Sequence, residues 1–233
     1  MSINRYKTAA GILYVLAVGC LLLYGWLNFH ARLLRPETRV ALLFAACALA
    51  YSGSRLMAKM SGDNAEKIMR GTFRLFFLLY LALLALFTLF DPFFGRTGYA
   101  GVAGWNVEAF QEYLETSVNL IPFVTISRYV SAISSHAVGT RTIVTNLLGN
   151  LAAFSPFALF LPLLCKKLSN FGLFLLSVLL IAVCIELLQL VLLTGSCDVD
   201  DVLLNVSGAC LLFGVLHIGP VRRAVSRFTL LRF

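Results

Sequence analysis

Six apolar runs, residues 8–29, 40–57, 73–94, 142–164, 171–193 and 202–218, constrain this chain more than any other feature. At 1.5 Å per residue, about 20 residues cross the hydrocarbon core of a bilayer. Lipid offers no hydrogen bonds, so a run that crosses it folds as a helix, whose backbone satisfies itself. A 60% hydrophobic content, 13% charged residues and a mean hydropathy of +0.88 lie well outside the range of soluble domains. The expected fold class is all-α: a polytopic helical membrane protein of about six transmembrane helices, with the lipid bilayer as its first partner. Run 8–29 is longer than a signal-peptide core and has no convincing small-x-small cleavage site, so it reads as a retained first span. The second run has the weakest claim to a full crossing, because its length is marginal and Ser52 and Gly53 weaken its end.

Charge sets the expected orientation. With the N-terminus in the cytoplasm, 13 of the 19 Lys and Arg fall inside, among them Arg5, Lys7, Arg55, Lys59, Lys67, Lys166, Lys167 and Arg222. Arg32, Arg35, Arg39, Arg96, Arg128 and Arg141 fall outside, together with Glu108, Glu112, Glu115, Asp198, Asp200 and Asp201. The positive-inside rule favours this arrangement: a multi-pass protein of the plasma membrane with both termini cytoplasmic. The net charge of +8 is then membrane topology, and nucleic acid is not an expected partner.

The chain divides into an N-terminal three-span region (1–94), an outer loop with interfacial helices (95–141), a polar three-span region and a basic cytoplasmic tail (219–233). The first three spans have almost no polar residue in their interiors. Within the outer loop, a Gly-rich start gives way to residues 107–117, where Glu108, Glu112 and Glu115 share one helical face and Phe110, Tyr113 and Leu114 mark another. A second amphipathic stretch follows, with Ile126, Tyr129, Val130, Ile133 and Ala137 on its apolar face.

The chemistry is expected in the last three spans. Glu186 lies inside an apolar run, where a charged side chain costs roughly 2.5–3.5 kcal/mol at a helix centre. Asn146 and Asn150 share a face near the start of the fourth span. Glu186 and Gln189 share one near the end of the fifth. Asp201, Asn205 and Gly208 follow an i, i+4, i+7 stripe at the start of the sixth. Consecutive spans run antiparallel, so all of these lie in one leaflet, the outer one by the charge count. Structural readings stand beside the functional one: interhelical bonds from the asparagines, capping of the sixth helix by Asp200 or Asp201, and pairing of Glu186 with Arg128 or Arg141. In the functional reading, Glu186 is shielded by Phe154, Leu187 and Leu188 and held protonated, with Asp198 and Asp200 at the aqueous mouth. Glu186, Asp198, Asp200 and Asp201 are then catalytic candidates for acid/base work on a headgroup.

Other chemistry has little support. No Ser–His pair or phosphate-cradling glycine loop accompanies the acids, and the D-V-D-D spacing lacks the length and glycine of a calcium loop. The six cysteines occur singly and His30, His136 and His217 are scattered, so no metal or other cofactor is expected.

One ordered series of motifs resembles the VanZ-like family over about residues 118–215. It comprises Asn119-Leu120-Ile121-Pro122-Phe123, Asn150 with Phe154-Ser155-Pro156 and Leu161-Pro162, Glu186-Leu187-Leu188-Gln189, and Asp198-Val199-Asp200-Asp201 with Asn205 and Gly208. The resemblance implies an integral membrane protein that affects the cell envelope and lowers susceptibility to glycopeptide antibiotics such as teicoplanin. A cell-envelope precursor or the glycopeptide target would be its partner. Binding candidates are Asn119, Asn146, Asn150, Gln189, Asn205, Arg128 and Arg141. Members usually carry an Arg shortly before the aspartates and a Gly after the F-x-P element, where this chain has Thr194-Gly195-Ser196-Cys197 and Ala158. Either Arg128 or Arg141 is then the expected counter-ion, or the family's activity is altered in this chain. The alternative is a membrane enzyme acting on a lipid-linked or glycan headgroup, and whether the protein is catalytic stays open. A transporter is disfavoured, because no polar path continues into the inner leaflet.

Overall fold

Residues 3–30, 36–89, 105–135 and 140–233 are described by the computed structural model, and nearly all of them are helical. The order is α1 (Ile3–His30), α2 (Pro36–Met60), a 3-10 turn (Gly62–Asn64), α3 (Ala65–Leu89), α4 (Val107–Thr116), β1 (Val118–Asn119), α5 (Val124–Ser135), α6 (Thr140–Ala153), α7 (Phe157–Leu164), a second 3-10 turn (Lys166–Ser169), α8 (Phe171–Leu192), β2 (Cys197–Asp198), α9 (Val199–His217) and α10 (Gly219–Thr229). Six stretches are long and apolar enough to cross a membrane: Asn4–Leu27, Val40–Met60, Gly62–Leu89, Asn146–Leu164, Phe171–Leu192 and Val199–His217. The protein is an all-α polytopic membrane protein. The Gly-rich start of the outer loop, His136, and the side chains of His30, Arg39 and Arg141 lie outside the described residues.

Two differences from the expected runs bear on the polar region. The sixth helix begins three residues before its apolar run, at Val199, because Asp198 supplies a cap and carboxylates are favourable in a first turn. The fourth run is two helices rather than one. Pro156 has no N–H to donate and crowds the preceding turn. Around it the ladder switches to shorter steps, with Ser155 N–H bonding Ala152 O (3.1 Å), Phe157 N–H bonding Phe154 O (3.0 Å) and Ala158 N–H bonding Ser155 O (3.0 Å). The backbone stays satisfied while the axis is reset between α6 and α7.

The chain forms two compact units, Met1–Leu78 with Ser226–Arg232, and Leu79–Val225 with Phe233; the boundary falls within α3. In the first unit α1 packs on α2 through small residues: Ala10, Ala17, Ala46 and Ala58 are all buried. A Cβ on Gly53 would lie 3.3 Å from Ala10 O and from the Tyr14 ring. Gly53 thus marks a close helix crossing: of the two residues expected to weaken the second span, Gly53 is buried at this contact while Ser52 is exposed, and α2 runs on to Met60. Ser54, 1% exposed, is a polar hub that the sequence reading did not foresee. Tyr14 Oη lies 2.9 Å from its Oγ, Thr72 Oγ1 donates to it (2.7 Å), and Ser54 itself donates to Ala50 O.

In the second unit the core lies between α7, α8 and α9, where Phe154, Phe157, Ala158, Leu163, Phe174, Val178, Ala182, Ala209 and Phe213 are buried. Phe174 stacks on Phe213 at 4.3 Å, and Tyr80 meets Phe157 edge-on at 5.2 Å while donating to Ala153 O (2.7 Å). Large side chains such as Leu180, Leu187, Leu188 and Leu211 point outward, as expected of a protein whose surrounding solvent is hydrocarbon.

Among the described glycines the closest approach is between α6 and α9. A Cβ built on Gly208 would overlap the Leu151 carbonyl oxygen and come within 2.6 Å of its carbon. That obstacle is backbone, which no rotamer change relieves. We predict that Gly208→Ala destabilises the protein by about 3 kcal/mol or more, at the top of the overpacking range. Thermal unfolding in detergent checks this, and an unchanged melting temperature would refute the close crossing.

Candidate functional site

The D-V-D-D segment assigns each acid a different task, beginning with Asp198. Its backbone is extended (φ −130°, ψ 121°), so its side chain turns back and accepts the Asp200 N–H (2.8 Å), capping α9. The same carboxylate accepts from Asn119 Nδ2 (2.9 Å) and Thr125 Oγ1 (2.6 Å). Beneath these contacts lies a two-residue parallel pairing, Val118 with Cys197 and Asn119 with Asp198. The sequence reading of an all-helical protein missed it, because two residues leave no period to detect. Cys197 N–H bonds Ser117 O across the pairing (2.9 Å). The next N–H, of Asp198, points to the other side, and there it donates to Glu186 Oε2 (2.9 Å).

Asp200 caps a different helix from the one it starts. It is fully buried and accepts from the backbone N–H groups of Phe123, Thr125 (2.8 Å) and Ile126 (3.0 Å), the free donors at the start of α5. Phe123 enters the helix with φ 67°, a left-handed conformation that this clamp holds in place. Asn119 shapes the approach, its Oδ1 accepting the Ile121 N–H (3.1 Å). The tip between them leaves Leu120, Ile121 and Phe123 exposed.

Several expectations are corrected here. Asp198 and Asp200 do not face an aqueous mouth: they are buried under the α4–β1–α5 segment. The cap of α9 is Asp198, rather than Asp200 or Asp201. The donors to Asp198 and Asp200 are neutral amides, a hydroxyl and backbone N–H groups. Arg128 is exposed on α5 and makes no ion pair with a described carboxylate. Glu186 is buried (6% exposed), as is Phe154, but Leu187 and Leu188 do not shield it. At 100° per residue they turn to the opposite face from Glu186 and Gln189, and both are about half exposed.

The remaining residues separate into two groups. Gln189 donates from Nε2 to Thr88 O (2.9 Å), satisfying a carbonyl in the last turn of α3, while its Oε1 is buried with no partner among the described residues. Asn205 Oδ1 and Thr194 Oγ1 are likewise buried and, among the described residues, without a partner. Asn150 Nδ2 donates to Asp201 Oδ1, and Asn146 Nδ2 donates to the Tyr129 hydroxyl (3.2 Å). These four side chains are only half-buried. Thr125, Tyr129 and Thr88 are the contributors that sequence reasoning missed. Thr125 had one usable signal, a hydroxyl residue at the start of an amphipathic stretch just after Pro122.

The acids also act on Cys197, which packs with Tyr113 and Leu193. Burial first, then the charges of Glu186 and Asp198, push its thiol above the usual cysteine range. That suits a packing residue rather than a nucleophile.

A family model described as VanZ/LLP1 matches residues 77–219, from the middle of α3 to the start of α10. No curated protein and no solved structure matches the chain.

Because Asp200 satisfies three amide donors at once, Asp200→Ala is predicted to loosen α5, each buried donor left unpaired costing roughly 1–3 kcal/mol. Amide hydrogen exchange across Val124–Ser135 checks this: exchange should rise at least tenfold there and little in α8. Equal protection in mutant and wild type would remove Asp200 from its anchoring role.

Proposed function

The chain belongs to the VanZ-like family, and from that premise we propose that it acts at the outer face of the plasma membrane, lowering susceptibility to glycopeptide antibiotics such as teicoplanin. In this reading both termini are cytoplasmic, and the protein binds a cell-envelope precursor or shields the glycopeptide target. Positive residues flanking the opposite span ends support that orientation.

One observation carries binding over chemistry. Asp198 and Asp200 already accept six hydrogen bonds, three each, four of them from backbone N–H groups and two from the side chains of Asn119 and Thr125. A carboxylate so engaged is a poor proton shuttle, since moving a proton would break the contacts that shape the site. Asn146, Asn150, Tyr129 and Asp201 form a half-buried amide, hydroxyl and carboxylate surface. That donor and acceptor set suits the amides and hydroxyls of a glycan or peptide headgroup.

A second reading, an enzyme acting on a lipid-linked or glycan headgroup, rests on the half-open Asp201 as its acid or base, with Glu186 nearby in the chain's polar cluster. Expression in a teicoplanin-sensitive strain separates the two. Wild type should raise the inhibitory concentration. Asp201→Asn should return it to that of cells lacking the protein. Glu186→Gln should retain most of the effect, because an amide oxygen can still accept the Asp198 N–H. Mass spectrometry of envelope lipids and glycans should show no species that depends on Asp201. A species made only by the wild type would establish the enzyme instead, and full resistance from Asp201→Asn would remove this surface from the function.

A further inference from the structure

A second feature lies in the first compact unit, away from every family motif. A cleft of about 670 Å³ opens between the C-terminal end of α2, the start of α3 and the tail residue Leu230. Its size falls within the range that accommodates a ligand of several hundred daltons. Tyr51, Leu56, Ala65 and Leu230 supply mostly apolar walls, and Arg55 and Lys59 supply cations. Arg55 is oriented by specific contacts. Its Nη1 donates to Tyr51 Oη (2.9 Å) and to Phe228 O (3.2 Å), and its guanidinium lies 5.8 Å from the Tyr51 ring centroid. Tyr51 is fixed in turn by donating to Phe228 O (2.7 Å) and stacking on the Phe228 ring at 4.5 Å. The contacts that orient the guanidinium use only Nη1, so Nε and Nη2 remain as donors.

Charge decides what fits. Among the described residues no carboxylate pairs with Arg55 or Lys59, while nearby Glu66 is already paired with Arg70 at 2.7 Å. Arg227 and Arg232, exposed in the same unit, add further positive charge. A held guanidinium and an exposed ammonium at the rim of an apolar cleft match a molecule with an anionic head and a hydrocarbon body. Polybasic flanks beside spans attract anionic lipids, and basic pockets between spans bind their headgroups.

We propose that this cleft binds one anionic phospholipid, its phosphate held by Arg55 and Lys59 and an acyl chain lying along Leu56, Ala65 and Leu230. A free phosphate would leave the apolar walls uncovered, so the lipid is the committed occupant. The site is independent of the envelope function above, and neither depends on the other.

The test uses the full chain in detergent, with phosphatidylglycerol, phosphatidylcholine of the same acyl chains, and inorganic phosphate as probes. Native mass spectrometry reads retention, and thermal unfolding reads stabilisation. Phosphatidylglycerol should be retained and should raise the melting temperature, whereas phosphatidylcholine and phosphate should do neither. Lys59→Gln, which removes no contact that holds the fold, should weaken phosphatidylglycerol about fivefold, and the double variant with Arg55→Gln still further. Arg5→Gln, elsewhere in the same unit, should leave binding unchanged. Equal retention of both lipids, stabilisation by phosphate alone, an unaffected Lys59→Gln, or an equal loss from Arg5→Gln would each overturn the site.

Discussion

The acceptance by Asp200 of three backbone N–H groups at the entry to α5, those of Phe123, Thr125 and Ile126, is the contact on which the second compact unit depends. Two problems cancel there. A carboxylate removed from water is costly without donors, and a helix start removed from water is costly without acceptors. Placing one against the other satisfies both, and the low dielectric around them strengthens each bond. Asp198 repeats the device next door, and Glu186 completes it by accepting the outward N–H of the short strand. The α4–β1–α5 segment is thereby fastened to the turn between α8 and α9. It closes over the acids, and this is why a cluster that looks reactive in the sequence is occupied in the fold.

Elsewhere the same solvent logic runs through side-chain size. Hydrocarbon gives no hydrophobic reward for burying leucine, so leucines face outward and close approach falls to small residues. Gly208 against Leu151 and Gly53 against Ala10 are the clearest cases. Polar side chains then act at the helix ends and crossings. Gln189 satisfies a carbonyl of α3, Ser54 joins Tyr14 to Thr72, and Asn150 meets Asp201. Each removes a group that lipid would leave unpaired.

Much of this was legible in the linear chain. The apolar runs located the spans, and helical spacing placed Glu186 with Gln189 and Asp201 with Gly208. Antiparallel order alone required the polar residues of α6, α8 and α9 to share an end of the bundle. Less legible were the partners. Nothing in D-V-D-D states that its first acid caps its own helix and its third residue caps another one 75 positions away. Thr125 and Tyr129 look like ordinary members of an amphipathic helix until the fold sets them beside Asp198 and Asn146.

By itself, then, the sequence determined that the protein is a polytopic membrane protein, which six stretches are long and apolar enough to cross, which helix faces carry polarity and which family the motifs resemble. Those properties follow from local periodicity and from the cost of polar groups in lipid, both of which are written residue by residue. Only the tertiary structure decided which groups each acid holds: backbone N–H groups for Asp200, a helix cap for Asp198 and the Asn150 amide for Asp201. Hydrogen-bond satisfaction is a property of pairs, and the pairs that matter here join segments far apart in the chain.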